Sequence, residues 1–273
     1  MGERVQLGDY IVVLVVRGWR RRLYHFRVER GRVYSTFAGV IRWDELVGLE
    51  YGSRLERGGA TWFILPAVWV EVLEEFGVRR SQVIYPKDSA YLVVRAGLRP
   101  GSRVFEAGLG SGFLTSVISS VVCPTGLVYG VEVRRDMLEA ALENLRLAGL
   151  DSCLVARLGD VRRGVGARGL DAGFLDMPDP WEALDSAWEA LRPGAPLIVF
   201  LPTMTQLDKL AYRVESHGGF AIVEAGEILR RDIEMVPGAV RPSPRMVGHT
   251  GYYVVLRRLA QRLPYGGEGG ERL

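Results

Sequence analysis

Three glycines at alternate positions, Gly108, Gly110 and Gly112, follow the apolar pair Val104-Phe105 and the acid Glu106. Glycine lets the main chain turn sharply there and approach a ligand where a Cβ would intrude. Leu109 and Ser111 complete a GxGxG loop, not the GxGxxG of dinucleotide folds. The acid two positions ahead points to S-adenosylmethionine. Glu106, Gly108, Leu109, Gly110, Ser111 and Gly112 are therefore the first candidate cofactor contacts. A second carboxylate, Glu132, closes the apolar run 127–133 roughly 20 residues after the loop, where it can accept both ribose hydroxyls. A plain surface carboxylate is the alternative reading. Asp160 ends a third run, 153–160, and reads either as a contact to the adenine amino group or as a loop cap.

The run 171–176 leads directly into Met177-Pro178-Asp179-Pro180-Trp181. Ligands of open α/β sheets bind at the carboxyl ends of strands. Asp179, with Pro180 next and Glu182 third, resembles a capping box, which explains it structurally. Asp176 has no such explanation, because an acid ending an apolar strand costs solvation unless it meets water, a donor or a substrate. It is the candidate catalytic residue and a candidate cofactor contact. Phe200, in the run 195–201, should lie near the same edge, and Thr203 with Gln206 reads as the cap of the next helix. Trp181 is a candidate base-stacking surface, with core packing the stronger alternative.

These residues resemble the TrmI-type tRNA (adenine-N1)-methyltransferases, which modify adenosine 58 in the T-loop and, in some archaeal members, its neighbour 57. Four blocks carry the resemblance in order and spacing: Tyr85-Pro86-Lys87-Asp88, residues 105–112, residues 175–181 and Val247-Gly248-His249-Thr250. It spans most of residues 10–258. Leu109 stands where the family usually has Thr, and Phe200 where some relatives have Tyr, which removes a hydroxyl contact to the base. The resemblance implies a Rossmann-like α/β fold with a seven-stranded sheet. It also implies S-adenosyl-L-methionine as methyl donor, S-adenosyl-L-homocysteine as product, tRNA as partner and a homotetramer. Tyr85 becomes a candidate for the catalytic and substrate-binding surface, with Phe200 and Trp181 behind it. Adenine N1 already carries a lone pair, so positioning dominates over general-base chemistry. Asp176 would accept a hydrogen bond from the exocyclic amino group and favour the charge that grows on the ring.

Three other readings compete. One is another class I methyltransferase acting on protein or a small molecule; the second is a non-catalytic RNA-binding paralogue. The third is a dinucleotide oxidoreductase. The first would lack the 175–181 and 247–250 blocks, and the second would have lost the glycine loop and its acids.

The elements that must hold these residues fall into two expected domains. Residues 1–78 are β-rich, with turn signals at Gly18, Gly31, Gly48, Gly52 and Gly58-Gly59, and read as a small barrel or sandwich followed by a helix over 66–77. Residues 79–260 alternate strands and helices as a doubly wound sheet requires. Met137, Ala141 and Leu145 share one face of a helix that Gly149 should end. Runs 221–229 and 250–256 fit a closing antiparallel pair, and 261–273 reads as a loose tail.

At 48% hydrophobic and 25% charged residues the composition is that of a globular protein. The densest apolar run, 11–16, is far short of the roughly 20 residues that cross a bilayer. No secretory leader is seen, so the reducing cytoplasm is the expected compartment. The two cysteines, Cys123 and Cys153, lie in apolar surroundings and read as buried free thiols. His25, His217 and His249 show no ligand spacing, so no metal is expected. Net charge is +3, and Lys87 and Lys209 are the only lysines, leaving arginine to carry nearly all the positive charge. Arginine use in general fits a GC-rich genome or heat adaptation. Locally, Arg17, Arg20, Arg21 and Arg22 surround Trp19, the basic and aromatic mixture of an RNA-contacting surface or of a solvated hairpin turn.

Overall fold

The computed structural model describes residues 3–264. Its chain divides into two compact units, Met1–Gly77 and Val78–Leu273.

In the smaller unit, period-two patterning builds the sheet. β1 (Tyr10–Arg17) pairs with β2 (Arg20–Arg27). A short hairpin, β3 (Val33–Thr36) and β4 (Gly39–Arg42), leads through the single-turn α1 (Trp43–Leu46) to β5 (Arg54–Arg57) and β6 (Ala60–Pro66), and α2 (Trp69–Phe76) closes the unit. The sheet order is β2-β1-β6-β5. Ile11, Val13 and Val15 of β1 and Trp62 and Ile64 of β6 bury one face, covered by Tyr34 and Ile41 of the hairpin. The edges β2 and β5 do not pair with each other. Among the described residues this is an open, sandwich-like packing rather than a closed barrel. The turn between β1 and β2 is two residues, Gly18-Trp19, with Arg17 opposite Arg20. Trp19 is 82% exposed, and the Arg20 guanidinium lies 4.4 Å from the Phe37 ring centre.

The larger unit runs α3 (Pro86–Arg95), β7 (Arg103–Ala107), α4 (Phe113–Val122), β8 (Leu127–Glu132), α5 (Arg135–Leu147), β9 (Leu154–Leu158), β10 (Ala172–Leu175), α6 (Leu184–Ala190), β11 (Pro196–Leu201) and α7 (Met204–His217). It ends with β12 (Phe220–Gly226), the two-residue strands β13 (Ile233–Glu234) and β14 (Arg241–Pro242), and β15 (Tyr252–Arg258). Seven strands form one sheet in the order β12-β15-β11-β10-β7-β8-β9. β15 is antiparallel to both of its neighbours, as the closing pair required. The central strands are parallel.

Both faces of the sheet are apolar, which is why its strands read as unbroken hydrophobic runs. Phe105, Leu175 and Val199 point to one core, and Val104, Phe174 and Ile198 to the other. Burying a phenylalanine such as Phe105 or Phe174 contributes about 2 kcal/mol. Gly173 makes room for this packing, since a Cβ there would sit 2.2 Å from the Phe105 ring. Chain order reverses at β7, which lies between β8 and β10. A crevice opens at such a switch point, outside the carboxyl ends of the strands.

One expectation is corrected here. Cys123 and Cys153 are not free thiols but form a disulfide, with Cα atoms 5.9 Å apart. Thirty residues separate them in sequence, yet one caps α4 and the other precedes β9. Closing a loop of that size removes chain entropy from the unfolded state, worth about 3–4 kcal/mol. Cys153→Ser should therefore lower Tm by roughly 10 °C, read by calorimetry, and a reductant should add nothing in that variant. An unchanged Tm would show the link is absent in solution. At the start of the stretch expected as a tail, Leu263 N–H donates to the Gly218 carbonyl at 2.7 Å and Arg262 pairs with Asp185 at 2.5 Å. The rest of that stretch, 265–273, lies outside the described residues.

Candidate active site

The loops after β7 and β10 touch at the switch point. Gly108 has φ +82°, and a Cβ on it would stand 1.9 Å from the Asp176 carbonyl oxygen. Only glycine fits where these two backbones meet. Gly110 has φ +53°, and its N–H donates to Glu132 Oε2 at 3.1 Å. The Arg134 N–H donates to Glu132 Oε1 at 3.0 Å. Two backbone donors thus fix the Glu132 carboxylate at the end of β8 while leaving lone pairs for a ligand. Gly108, Gly110, Glu132, Asp160 and Asp176 line one cavity of about 510 Å³, together with Ser81, Gln82, Met137 and Met177.

Carboxylates dominate the electrostatics. Asp176 forms no ion pair among the described residues; burial pushes its pKa up to about 7, and the Glu132 carboxylate adds to the shift. Glu106, 1% exposed, lies beneath the loop, and its Oε2 has no hydrogen-bond partner. Burial holds it well above the usual carboxylate range, opposed by the Thr115 hydroxyl and reinforced by Asp176 and Glu132. Glu106, Glu132 and Asp176 form no ion pair among the described residues and suit a positively charged ligand, whose arrival would favour their ionised forms.

The other candidates are placed less simply. Asp160 lines the cavity and also caps the turn after β9, accepting from the Arg162 N–H at 3.0 Å. The Arg162 guanidinium at 2.8 Å holds the Asp160 pKa below its ordinary value. Leu109, 3% exposed, turns inward against Gly130, where a Cβ would meet its methyl groups at 2.9 Å. Ser111 Oγ accepts from the Arg80 N–H at 3.0 Å, and Gly112 packs against Ala141 and Leu145 of α5. Leu109, Ser111 and Gly112 shape the loop without lining the cavity.

Trp181 is 4% exposed, packed in the core under Lys209, whose Nζ lies 4.2 Å from the ring centre. That burial corrects its reading as a stacking surface. Asp179 is an N-cap by position but makes no side-chain cap bond, so the capping box is not formed; its carbonyl accepts from the Glu182 N–H instead. Thr203 does cap α7, and Gln206 Nε2 donates to the Pro178 carbonyl at 3.1 Å, bracing the loop that carries Asp176. Phe200 is partly buried, its ring filling the space beside Gly251. Arg20 and Arg21 are exposed on β2, in the smaller unit.

Tyr85 stands at the N-cap of α3 with Pro86 in the first turn. Its side chain is 43% exposed and is not part of the cavity lining. The next two residues play a part the sequence did not disclose. Lys87 Nζ donates to Asp88 Oδ1, to Thr250 Oγ1 and to the Ile228 carbonyl, each at 2.7 Å. Thr250 in turn donates to Asp88 Oδ2 at 2.9 Å. Every ammonium proton is used, the condition under which a buried ion pair is tolerated. Two of the four sequence blocks are thereby tied together across 163 residues. Ser81, Gln82 and Met137 were also missed, being polar or apolar residues without a distinguishing pattern.

The parallel sheet with its antiparallel closing pair, the glycine turn and the acids at the carboxyl edge define a Rossmann-like methyltransferase fold. Residues 63–240 match the family described as the tRNA methyltransferase complex GCD14 subunit. The chain belongs to this TrmI/GCD14 family of tRNA methyltransferases. It is 30% identical over 262 residues to the tRNA (adenine(57)-N(1)/adenine(58)-N(1))-methyltransferase TrmI of Methanocaldococcus jannaschii, covering 84% of this chain and 92% of the relative. The tRNA (m1A58) methyltransferase TrmI of Aquifex aeolicus superposes with a TM-score of 0.83 at 30% identity, over 95% of this chain and all of that one. A Thermotoga maritima protein described as a SAM-dependent O-methyltransferase superposes with a TM-score of 0.85 at 28% identity, over 95% of this chain and 96% of its own.

Proposed function

We propose that the protein transfers a methyl group to N1 of adenosine 58 in the T-loop of tRNA. The observation that carries the reading is the Asp176 carboxylate, which lines the same cavity as Gly108, Gly110 and Glu132 without an ion-pair partner among the described residues. The TrmI relatives support adenine N1 rather than an oxygen acceptor.

S-adenosyl-L-methionine, when bound, supplies the electrophilic methyl group and leaves as S-adenosyl-L-homocysteine. The residues present fit this donor: Gly108 and Gly110 offer backbone where a Cβ would collide, Glu132 keeps lone pairs that could accept ribose hydroxyls, and the unpartnered Glu106 oxygen favours a cation nearby. Asp160 retains lone pairs for an adenine amino group. On the acceptor side, Asp176 holds the exocyclic amino group of the target base and so aims N1. The base must leave its stack to reach this depth. Tyr85 and Phe200 are the aromatic residues proposed to receive it.

Incubation with unmodified tRNA and labelled S-adenosyl-L-methionine, then nuclease digestion and mass spectrometry, tests the reading. N1-methyladenosine at 58 is expected, and the same digest shows whether 57 is modified too. Methyl transfer to protein or a small molecule, with none to tRNA, would overturn it. Tyr85→Ala should lower tRNA methylation about tenfold or more, since base stacking is worth about 1–3 kcal/mol, while thermal stabilisation by S-adenosyl-L-homocysteine persists. Equal loss of both would assign Tyr85 a structural role.

A homo-oligomer, a tetramer by the family resemblance, is part of the proposal. Support comes from the strap between β12 and β15, which exposes Leu229, Ile233, Met235, Val240, Met246 and Val247. Exposed apolar side chains on one such segment fit an association surface.

A further inference from the structure

Three arginine pairs border the segments that line the cavity. Arg79-Arg80 precede Ser81 and Gln82, Arg134-Arg135 follow Glu132 and Val133, and Arg162-Arg163 follow Asp160 and Val161. All six are exposed. Arg134 and Arg162 are lining residues themselves, with guanidinium groups 2.7 Å from Asp136 and 2.8 Å from Asp160. Arg80, Arg135 and Arg163 form no ion pair among the described residues, and each is bonded directly to a lining residue, about 3.8 Å away along the chain. Three segments distant in sequence thus carry exposed arginines, without an ion-pair partner among the described residues, next to the cavity lining.

The charge is layered. Glu132, Asp160 and Asp176 line the cavity, with Glu106 buried beneath the glycine loop, and together they favour a cation and repel phosphate. Arginine stands outside, where a polyanion would meet it first. Guanidinium groups match phosphate oxygens in pairs of parallel hydrogen bonds. Binding that neutralises phosphates releases counterions and makes affinity depend on salt.

We propose that Arg80, Arg135 and Arg163, with Arg134 and Arg162 beside them, form a collar that holds the RNA backbone at the mouth of the cavity. The assignment rests on tRNA being the acceptor. It extends that reading to a particular surface of the larger unit. Arginines that merely offset the cavity acids would govern cofactor affinity instead.

The test compares wild type with the triple variant Arg80→Gln/Arg135→Gln/Arg163→Gln. A control triple, Arg146→Gln/Arg168→Gln/Arg192→Gln, removes equal charge near the opposite edge of the sheet. Affinity for unmodified tRNA is measured across a salt series, and affinity for S-adenosyl-L-homocysteine by calorimetry. The collar variant is expected to bind tRNA about tenfold more weakly or worse, with the slope of log K against log salt reduced by about three. Its S-adenosyl-L-homocysteine affinity and the control's tRNA affinity should match wild type. Unchanged tRNA affinity and slope, equal loss in the control, or loss of cofactor affinity in place of RNA affinity would each overturn the collar. Wild type that binds S-adenosyl-L-homocysteine but no tRNA would instead overturn the acceptor assignment beneath it. Should the triple variant fail to fold, Arg135→Gln and Arg163→Gln alone must each lower the slope by about one.

Discussion

Asp176→Asn is expected to slow methyl transfer about 100- to 1,000-fold, the usual cost of removing one preorganised electrostatic group from a transition state. Affinity for S-adenosyl-L-homocysteine should stay within about threefold of wild type, because the loop of Gly108 and Gly110 and the Glu132 carboxylate are untouched. The side chains are nearly isosteric, so the loss is one of charge. N1 alkylation places a positive charge on the ring, and a carboxylate at its exocyclic amino group gains strength as that charge develops, whereas an amide gains little. Single-turnover rates at saturating cofactor, paired with calorimetry, separate the two effects. A rate within about fivefold of wild type would sink the assignment of Asp176.

The same residue sets a pH dependence. Burial, with Glu132 beside it, raises Asp176 to about 7, and the ionised form is the useful one. The value of kcat/KM should therefore fall about tenfold per pH unit below about 7 and level off above it, and Asp176→Asn should flatten that limb. Stability runs the other way. A carboxyl raised in the folded state binds more protons there than in the unfolded chain, so folding stability declines as pH rises from about 4 to about 7. Removing the charge should relieve the penalty, and Asp176→Asn should melt at least about 2 °C higher than wild type at pH 8. Slower chemistry with higher stability is the signature of a group kept for function at a cost to the fold.

Much of this arrangement is legible in the residues alone. The central parallel strands announce themselves because both faces of a parallel sheet are buried, so residues 128–131 and 172–175 carry no charged residue. The acids that end them stand out against that background, which is how Glu132 and Asp176 are found. Asp160 shows the limit: its type and position fit a cap and a ligand contact equally, and the structure gives it both a capping bond and a place in the cavity wall. Direction within a loop is harder still. Nothing in the string Gly108 to Gly112 says that Leu109 points inward onto Gly130, a glycine two strand residues before Glu132. Long-range pairings are least legible. Cys123 with Cys153, and Lys87 with Thr250, become neighbours only after the sheet order is fixed. Local composition cannot supply that order.

Gly108→Ala is expected to damage cofactor binding and stability together, and Gly149 supplies the comparison that isolates the cause. Both glycines have positive φ, +82° and +67°. An alanine forced into such a conformation costs about 1–2 kcal/mol from its Cβ alone. Around Gly149 nothing lies within 4 Å of the position a Cβ would take, so Gly149→Ala should lose only that conformational cost. At Gly108 the added carbon would stand 1.9 Å from the Asp176 carbonyl oxygen and 2.8 Å from its carbon. Those are backbone atoms, so relief requires the loops after β7 and β10 to part. Overpacking of this kind adds about 1–3 kcal/mol. The parting would also displace the Asp176 side chain from the cavity it shares with Glu132. Gly108→Ala should therefore melt lower than Gly149→Ala, bind S-adenosyl-L-homocysteine at least about tenfold more weakly, and lose turnover beyond its loss of affinity. If the two variants melted alike and bound alike, the contact between the two loops would not be what positions Asp176.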